Sequence, residues 1–182
     1  ELPSQFMENY CWQRSALKLF AKHYKTGEPL PDDLFEKMTS SKNFQSALQM
    51  LRQIEFSLFD IKLHLDQKLK KASDIQTILD EVRAETSVVK ISSKNKFQNG
   101  FTHIFAGGYA AGYYSYKWAE VLSADAFAAF EEEGIFNQQT GKRFMNCILE
   151  KGGSRPAIES FHCFRGREPN IEALLRHTGI TS

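Results

Sequence analysis

Residues 42–69 read KNFQSALQMLRQIEFSLFDIKLHLDQKL. Apolar residues recur at every third or fourth position, which is the spacing that places side chains on one face of an α-helix. These residues are Phe44, Leu48, Leu51, Ile54 or Phe56, Leu58, Ile61 and Leu65. The stretch therefore predicts one long amphipathic helix from residue 42 to about residue 69.

The sequence on both sides of this stretch is also helical in pattern. Upstream, helices are predicted over residues 3–24 and 32–38, and the Gly- and Pro-containing segment 26–31 separates them. Downstream, Ser73 is expected to cap another helix, and the polar segment 87–101 is predicted to be a loop. The remaining predicted helices cover residues 107–122, 124–133, 137–149, 156–164 and 171–177. The prediction is a mainly α fold, with residues 1–182 forming a single multi-helical domain.

The composition excludes some classes of partner. The net charge is +1, so there is no basic field to attract nucleic acid or an acidic membrane. No apolar run approaches the roughly 18 residues of a membrane span. Three scattered cysteines, Cys11, Cys147 and Cys163, are expected to be free thiols in a reducing cytoplasm. We therefore predict a cytoplasmic protein that binds neither nucleic acid nor membrane, with a core rich in its 15 Phe residues.

The segment with the most candidate functional residues is 101–116, FTHIFAGGYAAGYYSY. If Gly107 and Gly108 open a helix, then Tyr109, Tyr113 and Tyr116 share one face of it, at positions i, i+4 and i+7. The glycines would let another backbone or a ligand approach closely.

A phenol is a neutral hydrogen-bond donor that can stabilise an oxyanion, and His103 could do the same or orient a substrate. Aromatic residues at helical spacing are more often part of a core, however. The spacing alone therefore favours a structural role for these tyrosines and leaves the catalytic role open.

Three motifs together resemble one known family. They are F-x-H-x-x-AGGY-x-A-x-YY-x-Y-x-W at 101–118, E-x-PSQ-x-x-EN at 1–9 and FRGR-x-P at 164–169. Over its whole length the chain resembles the C-terminal part of the thimet oligopeptidase family of zinc peptidases, and within that family the bacterial oligopeptidase A branch. The resemblance implies a metallo-oligopeptidase that hydrolyses short peptides with the help of one zinc ion.

The resemblance also implies roles for two carboxylates near the start of the chain. Glu1 matches the third zinc ligand of the family. Glu8 lies seven residues further along. There it would contact the metal ligands rather than the metal, and so orient them. An ordinary salt bridge or helix-capping contact is an equally good explanation of Glu8.

The resemblance further implies substrate and catalytic roles in the central segment. The substrate-binding positions of the family, in a glycine-rich loop and the helix after it, match His103, Gly107, Gly108, Tyr109 and Tyr113. Among the catalytic positions, Tyr116 is the first choice for stabilising the oxyanion, Tyr113 is the second, and His103 assists.

The two zinc-binding histidines of the family belong to an HExxH motif, and this chain contains none. We therefore expect residue 1 to mark a truncation or cleavage point, with the HExxH part of the same protein as the missing partner. The chain alone is expected neither to retain zinc nor to hydrolyse peptides. The alternative is a non-catalytic helical module with a structural or peptide-binding role.

Overall fold

The computed structural model describes residues 1–66 and 71–181. Within them the chain is helical and contains no β-strand, which confirms the mainly α prediction. No helix in this described part is both long and apolar enough to cross a membrane. The α-helices, in chain order, are α1 (Leu2–Glu8), α2 (Arg14–Phe20), α3 (Asp32–Lys42), α4 (Ser46–Leu65), α5 (Ala72–Thr86), α6 (Ser115–Glu133), α7 (Gln138–Phe144), α8 (Ala157–Arg165) and α9 (Glu172–His177).

Several predicted helix boundaries are wrong. The long helix begins at Ser46 rather than at residue 42, because Gln45 adopts a left-handed conformation with φ of 53°. Its predicted end, residues 67–69, lies outside the described residues. Ser73 lies inside the first turn of α5, and Lys71 is the N-cap, with its backbone N–H donating to Asp74 at 3.0 Å.

Other departures concern the ends of the chain and its centre. The segment predicted as one helix over residues 3–24 is divided into α1, a short 3₁₀ turn (Asn9–Trp12) and α2. The break expected near residue 123 is absent, because α6 is continuous. By contrast, the helix start predicted at residue 137 is confirmed, because Asn137 is the N-cap of α7 and its side chain accepts hydrogen bonds from the backbone N–H groups of Gln139 and Thr140. A π-helix, Met145–Leu149, extends α7 over the predicted range.

The chain divides into two compact units. The first unit contains Glu1–Phe44 and Trp118–Ser182, and the second unit contains Gln45–Lys117. Each unit has its own hydrophobic core. The prediction of a single domain over the whole chain stays a prediction.

The core of the first unit is built from phenylalanine rings. Phe6 on α1 stacks on Phe144 at a centroid distance of 4.1 Å, and it lies 5.7 Å from Phe127 and 5.2 Å from Phe130. Residues 122–130 of α6 are all buried, as expected for a helix with neighbours on several sides. The predicted Phe-rich core is therefore confirmed in this unit.

The core of the second unit lies between α4, α5 and the segment that follows α5. Phe59, Leu79 and Ile104 are fully buried there. Phe56 of α4 stacks on Phe97 at 4.4 Å, which fastens the long connection after α5 to the helix pair. This unit carries the glycine- and tyrosine-rich segment.

The expectation that all three cysteines are free is wrong. Cys147 on the π-helix and Cys163 on α8 form a disulfide, with Cα atoms 5.6 Å apart, whereas Cys11 is free and exposed. The turn between the two helices returns the chain on itself, with Gly152 in the left-handed region. Sequence spacing does not show this proximity, because the two cysteines are 16 residues apart.

Buried carboxylates of α6 hold the C-terminal segment. Asp125 is fully buried, and it accepts hydrogen bonds from Arg167 at 2.7 Å and from the backbone of Asn170 at 2.9 Å. Burial alone would raise the pKa of Asp125, but these hydrogen bonds and the charges of Arg167 and Arg165 hold that pKa below its ordinary value. The carboxylate therefore stays charged and paired.

Glu131 holds α9 in a similar way. Its carboxylate lies 2.9 Å from His177 and 2.8 Å from Arg176. Burial alone would raise the pKa of Glu131, but the bonds from His177 and Arg176 outweigh burial and lower that pKa to about 2. Because the folded pKa is depressed, this stabilisation is present above the ordinary pKa of 4.5 and is lost as the pH falls toward 2.

We expect Glu131→Gln to lower the free energy of unfolding of the chain by roughly 1 to 3 kcal/mol at pH 7. Urea titration at pH 7 and at pH 3 measures this difference, which should shrink at the lower pH. Glu159→Gln, on the exposed face of α8, is the matched control, with an expected change below about 0.5 kcal/mol. An equal effect of the two substitutions at pH 7 would contradict the assignment.

Candidate functional site

The glycine-rich segment folds into a tight loop that is closed by its own backbone. The carbonyl of Thr102 accepts hydrogen bonds from the N–H groups of Phe105, Ala106 and Gly107 at 2.9–3.1 Å. The N–H of Tyr109 donates to the carbonyl of His103 at 3.0 Å. Residues 102–109, which we call the glycine loop, therefore have a defined shape without a ligand.

The two glycines of this loop are required for different reasons. A Cβ on Gly107 would lie 2.7 Å from the Cα and 2.8 Å from the carbonyl oxygen of His103, too close for any side chain. Gly108 has a φ of 81°, in the left-handed region that favours glycine. By contrast, a Cβ on Gly112 would have its nearest neighbour at 3.6 Å, an ordinary contact distance. Gly107 thus allows the loop to pack directly on the backbone of His103.

The premise that three tyrosines share one helical face is wrong, because α6 begins only at Ser115. Residues 110–114 instead form consecutive turns. The rings nevertheless meet: Tyr109 stacks on Tyr116 at a centroid distance of 4.8 Å, and Tyr113 packs edge-on against Tyr116 at 5.1 Å. The ring of His103 lies 6.4 Å from Tyr109 and 6.0 Å from Tyr113. We call these four residues the tyrosine–histidine cluster.

The members of this cluster differ in exposure. His103 is exposed, Tyr109 and Tyr116 are half-buried, and Tyr113 is buried. The hydroxyl of Tyr113 donates to Oε1 of Gln53 at 3.2 Å. Burial, and secondarily Tyr116, raise the pKa of Tyr113, and the opposing charge of Arg52 does not cancel the rise. Tyr113 is therefore a neutral phenol and the buried member of the cluster.

Asp60 is a residue of this site that sequence analysis missed. It lies on α4 and is fully buried, and its two carboxylate oxygens accept the N–H groups of Ala111 and Tyr113, each at 2.9 Å. The available signal was its place between apolar neighbours Phe59 and Ile61, since a buried carboxylate requires nearby donors. Helical periodicity gave no indication of which donors these would be.

A second buried carboxylate fixes the connection that leads to the glycine loop. Glu55 accepts hydrogen bonds from Arg52 at 2.8 Å and from Arg83 at 3.0 Å, and Arg83 also donates to Asn95 at 3.0 Å. The guanidinium of Arg52 lies over the rings of Phe56 and Phe97, at 4.2 Å and 4.8 Å. The polar connection after α5 is thus tied to both helices.

The two carboxylates expected near a metal lie in the first unit, whereas the tyrosine–histidine cluster lies in the second. Glu1 and Glu8 are both exposed. Glu1 is the N-cap of α1, and its carbonyl accepts hydrogen bonds from Ser4 Oγ at 2.9 Å and from the N–H of Gln5 at 3.1 Å. Across residues 1–66 and 71–181, no three His, Cys, Asp or Glu side chains are grouped so that they could hold a metal ion.

Comparison with known families decides how this arrangement is classified. A family model described as peptidase family M3 matches residues 1–180. The chain belongs to peptidase family M3. This M3 chain is 54% identical over 180 residues to oligopeptidase A of Escherichia coli, 48% identical over 184 residues to the probable cytosolic oligopeptidase A of Arabidopsis thaliana, and 33% identical over 181 residues to saccharolysin of Saccharomyces cerevisiae.

Each of these alignments includes 99% of the M3 chain but only about a quarter of the relative: 26% of the two oligopeptidases A and 25% of saccharolysin. The M3 chain thus spans about a quarter of the length of the relatives that it matches. The resemblance to the oligopeptidase A branch that the motifs indicate is confirmed over nearly the whole chain.

Proposed function

We propose that this chain is the C-terminal part of a zinc oligopeptidase that hydrolyses short peptides. The observation that carries the proposal is the tyrosine–histidine cluster beside the glycine loop, in a chain of peptidase family M3. In this proposal the chain supplies the surface that binds and polarises the peptide. The remainder of the protein supplies most of the metal site.

The glycine loop is suited to bind a peptide backbone. Gly108 and Ala110 are exposed, and no partner for their N–H groups is found among residues 1–66 and 71–181. Exposed amides of this kind can donate to the carbonyls of an extended peptide, as in other modes of main-chain recognition. Gly107, His103 and Tyr109 then form the side of the loop on which the peptide would lie.

Tyr116 is the residue that we propose to stabilise the oxyanion. Its ring lies between those of Tyr109 and Tyr113, which restrict its orientation. A hydroxyl held in place beforehand donates to a developing negative charge at little reorganisation cost. Tyr113 is the second candidate, and its hydroxyl donates to Gln53 at 3.2 Å. His103 is exposed and is proposed to orient the substrate or to assist as a second donor.

Glu1 would be the one zinc ligand that this chain contributes, with Glu8 orienting the site from behind. A catalytic zinc needs about three protein ligands, so the other two would come from the HExxH part of the protein. When bound, zinc polarises the scissile carbonyl and activates water. The chain alone is accordingly proposed to have no peptidase activity. The competing prediction from its sequence is a non-catalytic helical module with a structural or peptide-binding role.

A cytoplasmic location remains part of the proposal. The relatives do not decide it, since an Arabidopsis thaliana protein named organellar oligopeptidase A is 47% identical and the one named cytosolic is 48% identical. The predicted absence of nucleic-acid and membrane partners likewise remains a prediction, supported by the near-neutral charge.

Measurements of zinc content and peptidase activity test whether this chain needs the rest of the protein to bind zinc and to hydrolyse peptides. We expect the full-length peptidase to bind one zinc ion and to cleave a quenched fluorescent octapeptide. The purified 182-residue chain should retain far less than one zinc and show no turnover above background, because it lacks two ligands. Zinc-dependent cleavage by the pure chain, or a full-length protein without hydrolytic activity, would contradict the proposal.

A further inference from the structure

We propose that Asp60 is a positioning residue that holds the exit of the glycine loop and thereby sets where Tyr109 and Tyr116 stand relative to a bound peptide. This inference deepens the proposed function and depends on it. Asp60 itself touches neither the peptide nor the metal in this proposal. It acts through the backbone of residues 111–113.

Both oxygens of Asp60 are used on this short segment. Oδ1 accepts the N–H of Ala111 and Oδ2 accepts the N–H of Tyr113, each at 2.9 Å. A charged acceptor strengthens such bonds, and the buried surroundings of Asp60 keep water from competing for them. One side chain of α4 therefore holds the backbone N–H groups of residues 111 and 113, in a turn that is distant from it in sequence.

The segment held in this way is conformationally unfavourable. Ala111 has a φ of 53°, in the left-handed region that residues with a Cβ seldom adopt. Such a conformation persists only where the surrounding structure enforces it. Asp60 accepts hydrogen bonds from the N–H groups of Ala111 itself and of Tyr113, so these bonds hold the turn at the unfavourable residue and just after it.

His64 holds Asp60 in turn. Its Nδ1 lies 2.9 Å from Oδ1 of Asp60 and 2.8 Å from the Asp60 carbonyl oxygen. A nitrogen that lies between two acceptors carries a hydrogen, so His64 Nδ1 donates to Asp60. The side chain of His64 is 27% exposed, whereas that of Asp60 is 0% exposed. His64, in the last turn of α4, thus orients the Asp60 carboxylate.

Two sets of contacts hold the glycine loop and the segment that follows it. The N–H of Tyr109, the last residue of the loop, donates to the His103 carbonyl, and Asp60 accepts from the N–H groups of Ala111 and Tyr113 just beyond it. Tyr109 therefore lies directly before the segment that Asp60 holds, and Tyr116 follows three residues after Tyr113. No helix connects Tyr109 to Tyr116, so the turn hydrogen bonds of residues 109–116 and the two bonds to Asp60 together set how their rings are aligned.

The test uses Asp60→Asn and His64→Ala in the full-length peptidase. An amide in place of the carboxylate presents a donor to one of the two N–H groups, so that bond is lost. We expect Asp60→Asn to lower kcat/KM for the fluorescent peptide by roughly 10- to 100-fold, as for other small displacements of substrate-positioning groups. His64→Ala should act in the same direction by about 2- to 10-fold, since Asp60 is retained.

Hydrogen exchange with mass spectrometry distinguishes positioning from a general structural role. In both variants the peptide covering residues 105–116 should exchange faster, while α5, α7 and the zinc content should be unchanged. Asp80→Asn on the exposed face of α5, where the carboxylate accepts only from Gln76 in the described residues, is the matched control. It should change neither quantity by more than about twofold.

The outcomes separate this inference from the proposed function. Normal loop exchange and normal kcat/KM in both variants would overturn the inference, and so would an equal rise in exchange throughout the protein. If Asp60→Asn does not fold, the milder His64→Ala decides by the same criteria. Full activity of Asp60→Asn beside a strongly impaired Tyr116→Phe would overturn the inference alone, whereas a full-length protein that hydrolyses no peptide even before substitution would overturn the proposed function.

Discussion

Tyr116→Phe in the full-length peptidase is expected to lower kcat by about 10²- to 10³-fold, the usual effect of removing one oxyanion donor. The change deletes a single hydroxyl and keeps the ring, so the stacking of Tyr116 on Tyr109 should persist. Because the lost interaction belongs to the transition state, KM should change by less than about threefold. Steady-state kinetics on a short fluorescent peptide measure both parameters.

Tyr114→Phe is the matched control for this substitution. Tyr114 is a nearby phenol in sequence, it is 50% exposed, and its ring lies outside the tyrosine–histidine cluster. Removal of the Tyr114 hydroxyl should leave kcat within about twofold of the value for the unsubstituted peptidase. Equal kinetics for the Tyr116 and Tyr114 variants would remove Tyr116 from the catalytic machinery.

Gly107→Ala is expected to have the second-largest effect, a loss of roughly 100-fold in kcat/KM. The added methyl group would meet the backbone of His103 at 2.7–2.8 Å, so either the loop or His103 must move. A shift of about 1 Å in groups that position a substrate has effects of this size. Zinc content and circular dichroism should be unchanged, because the displacement is confined to the glycine loop.

Gly112→Ala serves as the comparison for Gly107→Ala. The new Cβ would have its nearest contact at 3.6 Å, from the Tyr109 carbonyl oxygen, and it requires no displacement. We expect kcat/KM to stay within about threefold. A Gly107→Ala enzyme as active as the Gly112→Ala enzyme would show that close packing of the loop on His103 has no role in catalysis.

Local patterns in the sequence were sufficient to predict most helices. Apolar spacing predicted α4 and α5, and α7 begins where a helix start was predicted, at residue 137. The break predicted within α6 is absent because its polar residues have distant partners: Ser123 accepts from Asn9 at 3.1 Å, and Asp125 is paired with Arg167. A polar residue that would end an isolated helix is accommodated when tertiary contacts satisfy it.

The tyrosine–histidine cluster illustrates the limit of such patterns. Tyr109, Tyr113 and Tyr116 do come together, but through turns rather than along one helix. The turns depend on Asp60, which is 51 residues from Ala111 and 53 from Tyr113. The disulfide between the π-helix and α8 likewise depends on how two helices pack. Pairings of this kind are tertiary, so they are not encoded in periodicity or in residue spacing.

A crystal structure of the full-length peptidase with a short non-hydrolysable peptide tests the central claim most directly, namely that this chain provides the surface that binds and polarises the substrate. The account predicts Tyr116 Oη within about 3.5 Å of the oxygen that replaces the scissile carbonyl. It also predicts a Glu1 carboxylate oxygen about 2.0–2.2 Å from zinc. A peptide bound away from the glycine loop, with Tyr116 outside hydrogen-bond distance of it, would contradict the account.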